Sequence, residues 1–241
     1  MAVALVTGSS RGIGFGIAQA LVQHGYKVAL NGCTDQVQLD HAVKALEGFG
    51  DVMGVLADVS DYQSTQNMFE DIRQRLGSVD VVVNNAGEGH FDLFTDMPPE
   101  AIHRMIATNL HTAMHVSHVA LPYMLRQKQG HIINITSIWG LVGASCEVAY
   151  ATAKAGVVGF TKALAKEVAP SGVKVNAIAC GAFETRMNQR LTPEEKAAFT
   201  EGIPMGRFGQ PYEVGDLVVF LASNKSQYLT GQVITLDGGM I

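Results

Sequence analysis

The stretch Thr7-Gly8-Ser9-Ser10-Arg11-Gly12-Ile13-Gly14 follows directly on an apolar run from Ala2 to Val6. Beyond it, apolar residues recur at helical spacing, at Ile17, Ala18, Leu21 and Val22. The pattern predicts a strand, a glycine-rich turn and a helix. Glycines let a backbone turn tightly and approach a pyrophosphate, and the free amides of the following helix attract phosphates. Many such turns contain glycine for geometry only. The candidate cofactor contacts here are Gly8, Ser10, Arg11, Gly12, Ile13 and Gly14.

Short apolar runs and helical periodicity alternate to the end of the chain. Further strands are predicted at residues 27–31, 52–57, 80–83, 131–135, 174–179 and 232–236. Helices are predicted at residues 62–76, 99–128, 148–169 and 211–222. Strands that alternate with helices predict an α/β fold with a doubly wound parallel sheet, here as a single Rossmann domain over residues 1–241. The polar segment at about residues 182–208, interrupted by Pro193 and Pro204, is predicted to be a substrate lid.

Composition excludes several classes of function. Seventeen basic and 22 acidic residues give a net charge of -5 without a basic block, which argues against nucleic acid as a partner. The N-terminal run has no basic flank, and no apolar stretch approaches membrane-spanning length, so we expect a cytoplasmic protein with no membrane partner. Cys33, Cys146 and Cys180 are odd in number and form no CxxC pair, which predicts neither a disulfide framework nor a metal site.

Tyr150 and Lys154 stand four residues apart. In a helix over residues 148–169 their side chains share one face, a turn apart. A nearby ammonium stabilises a phenolate, so it lowers the pKa of a tyrosine from about 10. Ser137 comes just after the strand predicted at 131–135, at the sheet edge where α/β proteins place their chemistry. Taken alone, the Tyr-x-x-x-Lys pattern also occurs where the tyrosine packs and the lysine is solvated.

The ends of the second, third and fourth strands carry further candidates. After the second strand the chain reads Asn31-Gly32-Cys33-Thr34, with no carboxylate before Asp35. A carboxylate there would accept ribose hydroxyl bonds in NAD sites and repel a 2'-phosphate. Its absence, together with Arg11, favours NADP(H), and NAD(H) stays open because no arginine follows the strand. The candidate contacts at the three strand ends are Asn31, Cys33, Thr34, Asp58, Val59, Asn85, Ala86 and Gly87.

These residues together resemble the short-chain dehydrogenase/reductase family over the whole chain. The motifs are Thr7-Gly8-x-x-x-Gly12-x-Gly14, Asn84-Asn85-Ala86-Gly87, Asn109, Ser137 and Tyr150-x-x-x-Lys154. The resemblance implies that Tyr150 is the acid/base, that Lys154 lowers its pKa and holds the nicotinamide ribose, and that Ser137 binds the substrate oxygen. It also implies that Asn109 anchors a water and that the protein is a homotetramer. Cys180-Gly181 replaces the usual Pro-Gly, ahead of the implied cofactor contacts Gly181, Phe183 and Thr185.

Two resemblances within the family point to different ketones. The chain is similar to bacterial 3-oxoacyl-[acyl-carrier-protein] reductases through residues 7–14 and 153–156, Gly231-Gln232 and Gly238-Gly239-Met240. This implies a 3-oxoacyl thioester and acyl carrier protein as substrate and partner. Arg126 and Lys128 are candidates for a basic patch that meets the acidic carrier, or are simply a solvated helix end. Ser171 stands where those reductases often have a basic residue.

The segment Ser137-Ile138-Trp139-Gly140, followed by residues 143–148, resembles reductases that act on the 5-aminopentanone modification of elongation factor P. Glu147, three residues before Tyr150, would then pair with a substrate ammonium. Alternatively, Glu147 only favours the start of a helix, as acidic residues do. A third possibility is a sensor that binds NADP without turnover, which would have no use for the full set Asn109, Ser137, Tyr150 and Lys154.

Overall fold

The computed structural model describes residues 1–185 and 192–241. Its strands are β1 (Val3–Val6), β2 (Lys27–Gly32), β3 (Val52–Leu56), β4 (Val79–Asn84), β5 (Gly130–Ser137), β6 (Val173–Cys180) and β7 (Val233–Leu236). Its helices are α1 (Gly12–Gln23), α2 (Gln36–Leu46), α3 (Tyr62–Arg75), α4 (Pro99–Ile106), α5 (Thr112–Gln127), α6 (Trp139–Val142), α7 (Val148–Val168), α8 (Pro193–Glu201) and α9 (Pro211–Ala222). None of the described helices combines the length and apolar character that crossing a membrane requires.

The strands form one parallel sheet in the order β3-β2-β1-β4-β5-β6-β7. All seven described strands therefore end at the same edge. The chain order reverses between β1 and β4, and a crevice forms at such a reversal outside the carboxyl ends of the strands. The predicted α/β fold with a doubly wound parallel sheet is confirmed.

Helices cover both faces of the sheet because each strand is apolar on both sides. On one face, α1, α2 and α9 pack on alternate strand residues such as Ala4 and Val6. On the other face, α3, α5 and α7 pack on the intervening residues, such as Val3 and Leu5. The inner strands therefore read as continuous apolar runs. The sheet edge is left as the place for polar chemistry.

The structure differs from the predicted elements at three places that bear on the site. β5 continues to Ser137, so this residue ends the strand instead of following it. The helix expected over residues 99–128 is divided by a π-helical segment, Ala107–His111, between α4 and α5. Part of the predicted lid forms α8, which begins with a capping box between Thr192 and Glu195. Residues 186–191 of that lid lie outside the described residues.

Candidate active site

A cavity of about 430 Å³ opens at the carboxyl edge of the sheet. Its lining includes most of the candidates: Gly8, Arg11, Gly12, Ile13, Gly14, Asn85, Gly87, Asn109, Ser137, Tyr150, Lys154, Gly181, Phe183 and Thr185. These residues come from the turn after β1 and the start of α1, the segment after β4, the π-helical segment, the end of β5, the segment after β6 and the start of α7. The cavity thus joins the glycine-rich turn to the tyrosine and lysine that lie more than 130 residues later in the chain.

The glycine-rich turn is fixed by hydrogen bonds to the end of β4. The Thr7 hydroxyl oxygen accepts bonds from the backbone N–H groups of Asn85 and Ala86, both at 3.0 Å. The Asn85 amide donates to the carbonyls of Thr7 and Gly8 at 2.9 and 3.0 Å. A Cβ on Gly14 would collide with the Gly8 carbonyl and with the Asn85 amide. Only glycine therefore fits at position 14, and the Asn85 side chain holds the turn in place through its hydrogen bonds.

Asn31 is buried at the end of β2, and its side chain bonds to backbone groups instead of facing the cavity. Its amide donates to the carbonyls of Gly32 and Ala57, both at 3.0 Å, and its oxygen accepts from the Gly8 N–H at 3.3 Å. The predicted contact Asn31 therefore ties the ends of β2 and β3 to the glycine turn. Its side-chain role in the structure is to brace the floor of the site.

Several predicted cofactor contacts lie outside the lining of the cavity. Cys33, Thr34, Asp58 and Val59 sit at the same edge, beyond the ends of β2 and β3. Ser10 and Ala86 flank residues that do line the cavity. Asp58 accepts bonds from the Ser60 N–H and hydroxyl at 2.9 and 2.7 Å. Desolvation and the Asp58 charge raise the pKa of the Cys33 thiol. Cys33 and Asp58 therefore lie close together on the β2 side of the glycine turn.

Asn109 lies in the π-helical segment and is 2% exposed. Its amide nitrogen donates to the carbonyls of Glu88 and Met105 at 2.9 and 3.1 Å. Its Oδ1 has no hydrogen-bond partner among the described residues, although it is buried. A buried acceptor without a partner is unfavourable, so this oxygen is placed to receive a bond from a water or a ligand. A Cβ on Gly87 would lie 2.5 Å from it.

Tyr150 and Lys154 lie one turn apart on α7, as the spacing predicts. The Lys154 ammonium is 5.6 Å from the centre of the Tyr150 ring and donates to the Ile135 carbonyl at 3.2 Å. The Thr136 hydroxyl donates to the Lys154 carbonyl at 2.9 Å, which fixes α7 against β5. The Ser137 hydroxyl accepts from the Trp139 N–H at 3.2 Å and bonds to the Tyr150 phenol. The two hydroxyls therefore face one point in the cavity.

Burial dominates the electrostatics of these groups in the ligand-free protein. It raises the pKa of Tyr150, and the Glu147 charge acts in the same direction, while the hydrogen bond with Ser137 opposes both. Burial also lowers the pKa of Lys154 to about 8, from an ordinary 10.5. The pKa of the Cys180 thiol is raised to about 12 by the same cause. The lowering of the Tyr150 pKa expected from Lys154 is not seen, because burial dominates and raises this pKa, so Tyr150 holds its proton at neutral pH.

The basic residues that the sequence offered for a carrier protein lie at the wrong edge of the sheet. Lys128 comes two residues before the start of β5, and Ser171 comes two residues before β6. Ser137, in the cavity, ends β5 seven residues after the strand begins, a distance of roughly 23 Å along the strand. Within one copy of the chain, Arg126 and Lys128 therefore do not flank the cavity entrance. Their place at the end of α5 fits a solvated helix end.

Sequence reasoning missed part of the lining, namely Glu88, Gly89, Ile135, Thr136 and Cys180. Each adjoins or lies close to a predicted residue in the chain, and that proximity is the signal that would have found them. Glu88 pairs with Arg104 at 3.0 Å. Cys180, where the resemblance expected proline, ends β6 beside Ser137, its partner in the parallel register.

The glycine cradle at Gly14 fits the pyrophosphate of a dinucleotide, and the buried amide oxygen of Asn109 offers an acceptor in the same cavity. Lys154, at the base of the cavity, offers an ammonium to the same ligand. The residues that line the cavity therefore fit a dinucleotide cofactor.

The chain is similar to known proteins over nearly its whole length. A family model described as "Enoyl-(Acyl carrier protein) reductase" matches residues 8–241. The chain is 40% identical to the uncharacterized oxidoreductase YmfI of Bacillus subtilis, over 98% of this chain and 97% of that protein. It is 39% identical to the 3-oxoacyl-[acyl-carrier-protein] reductase FabG of Thermotoga maritima, over 99% and 97% of the two chains.

A solved structure from Brucella melitensis, a 3-oxoacyl-[acyl-carrier protein] reductase, superimposes with a TM-score of 0.94 at 32% identity. The alignment covers 99% of this chain and 91% of that one. The likeness therefore extends over the whole sheet and the elements that carry the cavity.

Proposed function

The chain belongs to the short-chain dehydrogenase/reductase family of oxidoreductases, which implies a nicotinamide cofactor, and from this premise we propose that it is an NADP(H)-dependent ketone reductase. The observation that carries the proposal is that Ser137, Tyr150, Lys154 and Asn109, whose Oδ1 has no hydrogen-bond partner among the described residues, meet in one cavity that ends at the glycine turn. Because Tyr150 keeps its proton at neutral pH, it is suited to act as a general acid.

The proposed mechanism assigns one task to each side chain. A nicotinamide cofactor, when held by the glycine turn and Lys154, would supply the hydride that a carbonyl carbon receives. Ser137 and Tyr150 donate hydrogen bonds to the carbonyl oxygen, and Tyr150 gives its proton to that oxygen as negative charge develops on it. Lys154, as an ammonium beside the ring, stabilises the phenolate that remains. Asn109 holds a water through its Oδ1, and this water can return a proton to the Tyr150 phenolate.

The preference for NADP(H) is supported by the end of β2. Asp35 is the first carboxylate after that strand, and it accepts the Gln38 N–H at 2.9 Å as the cap of α2. It is thereby engaged in the helix start and not presented as a ribose acceptor. Arg11 adds a positive charge on the same side of the glycine turn. A 2'-phosphate is compatible with this arrangement.

For the substrate we propose first a 3-oxoacyl thioester, which makes the protein a 3-oxoacyl-[acyl-carrier-protein] reductase with acyl carrier protein as partner. The names of several relatives at about 40% identity support it. A second candidate, the 5-aminopentanone group on elongation factor P, is favoured by the Glu147 charge acting at Tyr150 and by the position of Arg126 and Lys128 at the far edge.

We also propose a homotetramer, which sedimentation or light scattering tests directly.

The experiment compares initial rates of NADPH and NADH oxidation with an acetoacetyl thioester and with a small amino ketone. Fast turnover that prefers NADPH and is lost in Tyr150→Phe supports the reductase. Glu147→Gln is expected to raise KM for the amino ketone alone if that ketone is the substrate class. The matched control is Glu167→Gln, an exposed glutamate on the same helix. Tight cofactor binding without oxidation by any ketone would instead support a sensor.

A further inference from the structure

Gln38 connects α2 to the glycine-rich turn. Its Oε1 accepts a bond from the Arg11 guanidinium at 2.9 Å and lies 3.5 Å from the Ser10 hydroxyl. Its backbone N–H is held by Asp35 at the start of α2. The amide therefore gives a long, flexible arginine a fixed anchor beside the end of β2.

The anchor is neutral, and this matters for the charge it holds. A carboxylate at this position would neutralise the guanidinium, while an amide oxygen orients it and leaves its positive charge available to an anion. Arg11 has five N–H donors, and only the Nη1 bond to Gln38 is formed among the described side chains. The remaining donors, with the start of α2 beside them, point to a phosphate at the end of β2.

The charges around this point are few. Asp35 is bonded to the Gln38 N–H, and Asp58 is bonded to Ser60 across the strand ends. Both carboxylates thus have donors of their own. Arg11 is the cation that the glycine turn contributes on this side. Neither carboxylate forms an ion pair with Arg11 among the described residues.

We propose that Gln38 is a positioning residue that sets the preference for NADP(H), because it holds the Arg11 guanidinium where the ribose 2'-phosphate binds. The inference rests on the proposed NADP(H) dependence. It also names a feature that the strand-end sequence alone did not reveal, since Gln38 lies several residues beyond the usual position of the discriminating side chain.

The test uses two fragments that never reach the catalytic groups, 2',5'-ADP and 5'-AMP, with binding measured by calorimetry on the full chain. Gln38→Glu is expected to weaken 2',5'-ADP by at least about tenfold and to leave 5'-AMP within about twofold. Gln38→Ala, which frees Arg11 without neutralising it, is expected to weaken 2',5'-ADP less. Gln63→Glu, the same charge change on α3, is the matched control and is expected to change neither.

The outcomes separate the inference from the function on which it rests. If the wild type prefers 2',5'-ADP and Gln38→Glu keeps that preference, Gln38 has no positioning role and the inference alone fails. Equal weakening of both fragments would show general damage to the turn and would also overturn it. If the wild type binds both fragments equally, the NADP(H) proposal and the inference fail together.

Discussion

Replacing Lys154 by methionine is expected to stabilise the ligand-free protein at neutral pH. Lys154 is 5% exposed and makes one hydrogen bond through its ammonium among the described residues, to the Ile135 carbonyl. Its burial lowers its pKa from 10.5 to about 8, and a shift of that size corresponds to about 3 kcal/mol. Loss of the hydrogen bond to Ile135 costs about 1 kcal/mol of this gain in stability. The net gain of about 2 kcal/mol should raise Tm by roughly 4–8 °C for a chain of this size.

The pH dependence gives the sign of this effect. Below about pH 8 the lysine is charged in both the folded and the unfolded protein, so the folded state bears the full cost of burying the charge. Between about pH 8 and 10.5 the folded protein has lost the proton that the unfolded chain still binds, so the stability of the wild type rises with pH. The advantage of Lys154→Met should therefore shrink above about pH 8.

Urea unfolding at a series of pH values on both sides of the Lys154 pKa measures this difference directly. Lys162→Met, which changes an exposed lysine on the same helix, is the control and should show no such trend. If Lys154→Met is less stable than the wild type by the same amount at every pH, the cost of burying the charge does not decide the stability of this site. The electrostatic account of the site would then be wrong.

Other substitutions test other parts of the structure. Tyr150→Phe is expected to reduce ketone turnover by at least about a hundredfold while cofactor affinity stays within about twofold, measured by NADPH fluorescence; wild-type turnover would remove Tyr150 from the mechanism. Gly87→Ala is expected to displace Asn109, because the new Cβ would lie 2.5 Å from its Oδ1, and to lower kcat with little loss of Tm. Burial lowers the pKa of His131 to about 4, so below pH 6.5 this side chain stays neutral in the folded protein while it is protonated in the unfolded chain. The free energy of unfolding should therefore fall by up to about 3 kcal/mol as the pH falls from 6.5 to about 4. His131→Phe should flatten that slope in acid unfolding, and an unchanged slope would assign it to other groups.

The sequence predicted the parts of the fold that depend on short-range patterns. Alternating apolar runs predicted the parallel sheet, and a parallel sheet places strand ends at one edge, so Ser137 and the glycine turn had to meet. That Tyr150 and Lys154 lie one turn apart on a helix followed from their spacing, whereas their proposed roles came from the resemblance to the family. These inferences need no knowledge of which side chains touch.

The remainder depended on contacts that no local pattern encodes. Asn31 looked like a ligand contact, yet its bonds go to three backbone segments that only the folded sheet brings together. Arg126 and Lys128 were candidates for a docking patch. Their distance from the cavity entrance depends on the direction of β5, which the local sequence does not show. The direction of the Tyr150 pKa shift likewise depended on burial, which the Lys154 spacing does not reveal.

The π-helical segment joins α4 and α5 so that the two helices pack against different hydrophobic clusters. An inserted residue turns every later side chain by about 100°, so the apolar stripes before and after residues 107–111 are out of phase. Before it, Ala101 and Met105 pack on Ala149 of α7, next to Tyr150. After it, Val116 and Ala120 pack on the sheet. Asn109 sits at this phase change, so the irregularity that places its Oδ1 in the cavity also connects the packing of α4 on α7 to the packing of α5 on the sheet.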